Sequence, residues 1–245
     1  MTNYISSEII FEKSTKMADI LHINYNLLAV LDRFDIHLGF GDKTIEEVCD
    51  ERHVNADYFV ILLNIYHNPK WLRNNPLPDM DLLFLVNYLK KTHRYYTKAI
   101  LPTINQLIGE IKSQTKDDFG LSLLDKLYKE YVVDFTEHLD YEEEIVFPYA
   151  SILSIANEEE TCRCEMDDID FRIGDFIDIH ALIEQRLYSL KNILIKYSSA
   201  HNDESVVHLL YLIYRFEEDL RNHAILEDEL LVPLIEKLEK KIFSE

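Results

Sequence analysis

Apolar residues recur every three or four positions along most of the chain, which is the spacing of one buried face of an α-helix. The longest runs of this pattern predict four long helices, at residues 80–112, 118–153, 166–197 and 202–242. Polar connections separate them, as expected for antiparallel neighbours in an up-and-down bundle. The fold class is therefore all-α: an up-down four-helix bundle preceded by a small helical N-terminal domain.

Local signals mark shorter helices in the N-terminal part. Apolar spacing predicts one helix over residues 18–34. Thr44, followed three residues later by Glu47, forms a capping box, and Asn55 is a helix N-cap. These signals predict two further short helices before the bundle begins.

A change in composition marks the boundary between the two parts. Residues 68–79 contain three prolines and three asparagines, which do not continue a helix. We therefore expect a small helical domain at residues 1–67, a linker at 68–79 and the bundle at 80–245.

The second and fourth predicted helices share a repeat that carries the chemistry. The pattern H-x3-E-x5-P begins at His138 and again at His223. One predicted helix earlier in each half lies a further histidine, so the bundle is interpreted as a duplicated helix pair. The candidate metal ligands are His93, His138, Glu142, His180, His223 and Glu227.

Residues four apart lie on the same face of a helix, so each histidine of the repeat presents its side chain beside the following glutamate. Apolar residues continue that face after each glutamate, for example Ile145 and Tyr149 after Glu142. The ligands should therefore point into the core, where an unpaired carboxylate is costly and a cation removes the cost. We interpret Glu143 and Glu184 as part of a solvated face, with a hydrogen bond to a ligand as the alternative.

The types of ligand indicate which metal is bound. Four imidazoles and two carboxylates without a thiolate are typical of non-haem iron, and two bridging glutamates suit a pair of iron ions. Ferritin-like bundles use Glu-x-x-His and are richer in carboxylate. The greater share of nitrogen here favours small-molecule binding or redox chemistry over iron storage.

Charge and composition exclude several other classes of function. A formal net charge of −20 repels phosphate backbones and anionic lipids, so neither nucleic acid nor a membrane surface is an expected partner. No stretch approaches the roughly 20 apolar residues of a membrane span, and the first residues do not resemble a signal peptide. Three cysteines are too few for a disulfide framework. We expect a cytoplasmic protein.

These residues resemble the hemerythrin-like, or HHE, domain of the repair of iron centres family, the ScdA/YtfE type. The resemblance spans nearly the whole chain, and the six candidate ligands match the family's ligands one by one. The motif E-E-x-x-x-F-P is present at residues 142–148, and the N-terminal domain is similar over residues 33–49. Where the family has an adjacent cysteine pair, this chain has Gly39 and Phe40.

The resemblance implies a hemerythrin-like fold and a di-iron centre bridged by an oxo or hydroxo group and two carboxylates. It implies binding of nitric oxide (NO) or dioxygen (O2), a role in the nitrosative and oxidative stress response, and donation of iron to damaged iron-sulfur proteins. Two alternatives stay open: an enzyme, either an NO reductase or a peroxidase, and a metal-bearing scaffold that recruits a protein partner. Homodimer formation also stays open.

Overall fold

The computed structural model describes residues 9–114, 119–158, 171–176, 180–197 and 204–243. Over these residues the regular secondary structure is helical and contains no β-strand, which confirms the predicted all-α class. They form two compact units, one with the residues up to Tyr88 and those from Ile225 onward, the other from Leu89 to Ala224. The predicted domain boundary at residues 68–79 stays a prediction.

Short helices make up the N-terminal part of the first unit. Their bounds are α1 Met17–Ile23, α2 Leu28–Arg33, α3 Ile45–Arg52, α4 Ala56–His67 and α5 Trp71–Asn74. Helix α3 begins with the predicted capping box: the Glu47 N–H donates to Thr44 Oγ1 at 3.2 Å, and the Thr44 N–H donates to a Glu47 carboxylate oxygen at 2.8 Å. The Asn55 side chain caps α4, as predicted.

Two N-terminal elements differ from the sequence-based expectation. The single helix predicted over residues 18–34 is interrupted at Asn24, whose backbone is extended with φ −144°. The Asn24 side chain accepts a hydrogen bond from the Asn26 N–H at 3.1 Å, and such local bonds compete with helix formation. Residues 68–79 contain the short helix α5, because the three prolines of that segment lie outside it.

Long helices follow, three of which contain a π turn, a turn widened by one residue. The first is α6 Leu82–Tyr95, the π turn Tyr96–Ile100 and α7 Leu101–Gln114. The second is α8 Phe119–Tyr141, the π turn Glu142–Val146 and α9 Phe147–Glu158. The third is α10 His180–Tyr197. The fourth is α11 Glu204–Leu226, the π turn Glu227–Leu231 and α12 Val232–Phe243.

The extents of these long helices agree with the apolar periodicity except at the start of the third. A helix from residue 166 was expected, but α10 begins at His180, and described residues 171–176 contain only the short 3-10 turn Ile173–Asp175. Gly174 lies in that turn, and glycine is a poor helix former. None of the described helices is long and apolar enough to cross a membrane.

The apolar faces of all four long helices contribute to one core within the second unit. Representative buried residues are Ile104 from the first, Tyr128 from the second, Leu187 from the third and Phe216 from the fourth. Burying one large apolar side chain contributes about 1.5–3 kcal/mol. Each long helix therefore buries an apolar face, as the apolar periodicity predicts.

Asp125 on α8 joins the first and second long helices electrostatically. Its Oδ2 lies 2.6 Å from Lys112 Nζ on α7 and 3.1 Å from Lys129 Nζ on its own helix. The Asp125 side chain is 17% exposed, so water screens these pairs only in part. The hydrogen bond from Lys112, with a smaller one from Lys129, lowers the pKa of Asp125 below its ordinary value.

We expect Asp125→Asn to reduce the free energy of unfolding at pH 7 by about 1 kcal/mol. Because the folded-state pKa is lowered, the carboxylate's contribution is fully present above the unfolded-state pKa of about 3.9 and is lost as the pH falls through the folded-state pKa. Urea denaturation of variant and wild type should therefore differ at pH 7 and converge in acid.

Glu130→Gln on the same helix is the matched control. Glu130 pairs with Lys126 at 3.8 Å, and both side chains are largely exposed, so its removal should change stability little. Equal losses in the two variants, or a loss for Asp125→Asn that persists unchanged in acid, would contradict the assignment.

Candidate metal centre

The structure buries every one of the six predicted ligands. Each has a relative exposure of 7% or less, and they are His93, His138, Glu142, His180, His223 and Glu227. Charged and imidazole side chains are seldom buried to this degree unless they are paired or bind a cation. Their burial therefore distinguishes these six residues from polar residues on the exposed face of a helix.

The six residues form two groups, each containing two histidines and both glutamates. The first group is His93, Glu142, His223 and Glu227, and the second is His138, Glu142, His180 and Glu227. Within each group the ligand atoms, one from each residue, all lie within 4.8 Å of one another. The two groups thus share their carboxylates and divide the imidazoles in pairs.

Glu142 directs a different carboxylate oxygen at each group. Its Oε2 lies 3.4 Å from His93 Nε2, in the first group. Its Oε1 lies 3.3 Å from His138 Nε2 and 3.9 Å from His180 Nε2, in the second group. One oxygen on each side is the arrangement that a carboxylate bridging two cations requires.

The two shared glutamates occupy equivalent positions in the backbone. Glu142 and Glu227 are each the first residue of a π turn. The Phe147 N–H donates to the Glu142 carbonyl, and the Val232 N–H donates to the Glu227 carbonyl, five residues back in both cases. Such wide turns inside α-helices are frequent at functional sites.

Prolines explain where the wide turns occur. Pro102, Pro148 and Pro233 each lie six residues after the first residue of a π turn. A proline inside a regular helix has no N–H to donate, and its ring clashes with the carbonyl four residues back. The wide turn accommodates the proline. In the first long helix, Tyr96 stands at the position that holds glutamate in the other two.

The wide turn also corrects one inference from periodicity. Ile145 was expected to continue the inward face after Glu142, but it is 40% exposed, and the neighbouring Val146 is buried instead. The additional residue of the π turn shifts the inward position along the chain by one. Tyr149, beyond the turn, is buried as expected.

For Glu143 the structure supports the alternative to a solvated face, a hydrogen bond to a predicted ligand. Its Oε1 lies 3.1 Å from His93 Nδ1, although the side chain is 44% exposed. The hydrogen bond from His93 lowers the pKa of the Glu143 carboxyl group. Glu184, the other candidate for such a role, instead lies on the surface 3.6 Å from Arg221. The position of Glu143 directly after Glu142 was the sequence signal for that alternative.

Within the first unit, an ion pair joins α5 to the π turn of the fourth long helix. Arg73 of α5 donates from Nε to Glu229 Oε1 at 2.8 Å, and Glu229 lies two residues after Glu227. The segment that carries Glu227 therefore belongs to the same compact unit as the short N-terminal helices. Residues 68–79 accordingly supply a contact beside a ligand-bearing turn.

Aromatic rings pack against two of the imidazoles. The Phe147 ring centroid lies 5.2 Å from that of His93, and the Tyr96 ring lies 5.6 Å from that of His223 in an edge-to-face arrangement. Tyr96 is fully buried. These rings restrict the orientations of both imidazoles and exclude water from that side of the first group.

The donor set fits a pair of metal ions with mixed nitrogen and oxygen ligation. Two imidazole nitrogens and an oxygen from each carboxylate are available to each ion.

The cysteines do not contribute to this donor set within the described residues. Cys49, in the N-terminal unit, is fully buried, and burial raises its pKa to about 12, so the side chain stays protonated and unreactive. Cys162 and Cys164 lie outside the described residues.

Comparison with known proteins agrees with this description. A family model described as the Hemerythrin HHE cation binding domain matches residues 85–235, which include all six predicted ligands. The match covers more than half of the 245 residues. No curated protein matches the chain.

We expect Glu142→Gln and Glu227→Gln to weaken metal binding by similar factors, each more than about 100-fold. Substitution of residues that only contact a ligand typically lowers metal affinity by about 10–100-fold, and loss of a ligand should lower it further. The reason is that each glutamate belongs to both groups. Competition with a chromogenic chelator measures the affinity, and circular dichroism verifies the fold. Glu184→Gln removes the same charge from an exposed side chain and serves as the control. Strong binding by Glu227→Gln would exclude that residue from the ligand set.

Proposed function

The chain belongs to the Hemerythrin HHE cation-binding domain family, and we propose that it holds a non-haem di-iron centre that binds NO or O2 in the nitrosative and oxidative stress response. The observation that carries the proposal is the pair of buried ligand groups that share Glu142 and Glu227. A single ion would leave two of the four imidazoles without a role. Two ions use all six side chains.

We assign one ion to each group. His93 and His223 would hold the first ion, and His138 and His180 the second. Both carboxylates would bridge the ions, consistent with the two oxygens of Glu142 that face opposite groups. Each ion would then receive two nitrogens and two oxygens, which leaves positions open for a small exogenous ligand.

Iron is the metal that this set of ligands favours. Imidazole with carboxylate suits iron and leaves it redox-active, whereas soft thiolate ligands would favour other metals. When bound, the iron pair would supply reversible electron transfer to a diatomic molecule. The chain's own residues would fix the ligands, keep water out with aromatic rings and limit access to small molecules.

Burial of the ligands favours a resident centre over iron donation. All six side chains lie inside the helical core, so release of iron requires the long helices to separate. The N-terminal unit supports the same conclusion. The repair of iron centres family, which the sequence resembles, has a cysteine pair at this place. Here the two residues are Gly39, with φ +105°, and Phe40, and neither has a thiol. We therefore place binding of NO or O2 ahead of repair of damaged iron-sulfur proteins.

The second candidate is turnover of NO or peroxide, and the shared carboxylates favour it specifically. Two ions bridged by Glu142 and Glu227 would act as a template that holds two substrate molecules side by side. NO reduction would need an external electron donor. An added donor therefore separates binding from turnover experimentally.

We expect purified protein, prepared without chelator, to carry close to two irons per chain, one for each ligand group. Elemental analysis measures the stoichiometry. Titration of the ferrous protein with NO should change its visible absorption and saturate, since the centre is preformed. Formation of nitrous oxide after addition of an electron donor would assign the enzyme function, and its absence would assign reversible binding. Stoichiometric zinc, or less than one iron per chain, would refute the di-iron proposal.

A further inference from the structure

Two consecutive glutamates contact the two ring nitrogens of one histidine. Glu142 Oε2 lies 3.4 Å from His93 Nε2, and Glu143 Oε1 lies 3.1 Å from His93 Nδ1. The imidazole of His93 is 1% exposed, so both ring edges are fixed by protein groups. The contact from Glu143 engages Nδ1, whereas Nε2 is the nitrogen that lies beside Glu142 and His223 of the first group.

Hydrogen-bond chemistry then determines the tautomer of His93. An ionised carboxylate accepts hydrogen bonds and donates none, so Nδ1 carries the hydrogen that points at Glu143. In a neutral ring the lone pair is then on Nε2, the nitrogen that faces Glu142 and lies 3.1 Å from His223 Nε2. A metal ligand needs that lone pair free of hydrogen.

We propose that Glu143 is a positioning residue: it holds His93 in the Nδ1–H tautomer, aims Nε2 into the first ligand group and increases the electron donation of the ring to a bound metal. The inference rests on the proposed metal centre and identifies a determinant of its affinity and reduction potential. A carboxylate on the outer nitrogen of a ligating histidine makes the ring more basic. More electron density at the metal stabilises its oxidised state and lowers its reduction potential.

The π turn brings both carboxylates within contact distance of the same imidazole. Consecutive residues of a regular helix point about 100° apart, so they usually face different neighbours. Here Glu142 and Glu143 are the first two residues of the same wide turn, and both reach His93 on the first long helix. One segment therefore supplies the bridging ligand and also orients a ligand of the first group.

The half-exposed position of Glu143 makes this role testable without unfolding the protein. Its side chain is 44% exposed, so substitution opens no cavity in the core. Glu144, the next residue, is exposed as well and carries the same charge. Glu143→Gln and Glu144→Gln thus each remove one negative charge from the same turn, and only the first alters the hydrogen bond to His93.

The first measurement uses the iron-loaded, full-length protein. Glu143→Gln should weaken metal affinity by about tenfold or more and raise the reduction potential, because a neutral amide still accepts the hydrogen bond but donates less electron density to the ring. Glu144→Gln should change both quantities much less. Equal effects of the two substitutions would overturn the proposal, because a general loss of negative charge would then explain the result.

The second measurement needs no metal and therefore separates this proposal from the di-iron assignment. Nitrogen-15 NMR of the histidines in metal-free protein should show the Nδ1–H tautomer for His93. Glu143→Ala should shift His93 toward a mixture of tautomers, while Glu144→Ala should leave it unchanged. If His93 keeps the Nδ1–H tautomer in Glu143→Ala, the positioning role is wrong even if two irons bind. If the tautomer responds but zinc replaces iron, the positioning role stands and the di-iron assignment fails.

Discussion

Two carboxylates buried among four imidazoles are the constraint on which the rest of the structure depends. Charges removed from water cost several kcal/mol each unless a partner compensates them, and all six side chains are buried. Within each group the candidate ligand atoms lie within 4.8 Å of one another, close enough for a cation to replace the lost hydration. The wide turns, the aromatic rings and the outer contact to His93 all serve that arrangement.

The surrounding core holds the helices that carry the candidate ligands. Apolar residues from all four long helices pack together within the second unit, and the ligand-bearing residues of each helix follow the same face. A site carried by packed helices holds its geometry more closely than one carried by loops. Polar links at the periphery, such as Asp125 with its two lysines, support the relative position of the helices from outside the core.

Much of the fold and of the site follows from local signals in the sequence. The repeat beginning at His138 and His223 predicted candidate ligands that the structure places in the two groups, because helical spacing is a local property. The departures from 3.6 residues per turn were not predicted, and the sequence left open whether Glu143 contacts a ligand. The wide turns displaced Ile145 from the core, and the contact from Glu143 to His93 joins different helices. Interior prolines were the one local sign of those turns.

The prolines after the three wide turns have a consequence for insertions and deletions in the chain. Proline has no N–H to donate and its ring clashes with the carbonyl four residues back, so a regular α-helical turn before each proline is disfavoured whether or not a metal is bound. An inserted or deleted residue within these turns would rotate everything beyond it out of phase. A change in length near Pro102, Pro148 or Pro233 would therefore turn the apolar face of the following helix away from the residues it packs against.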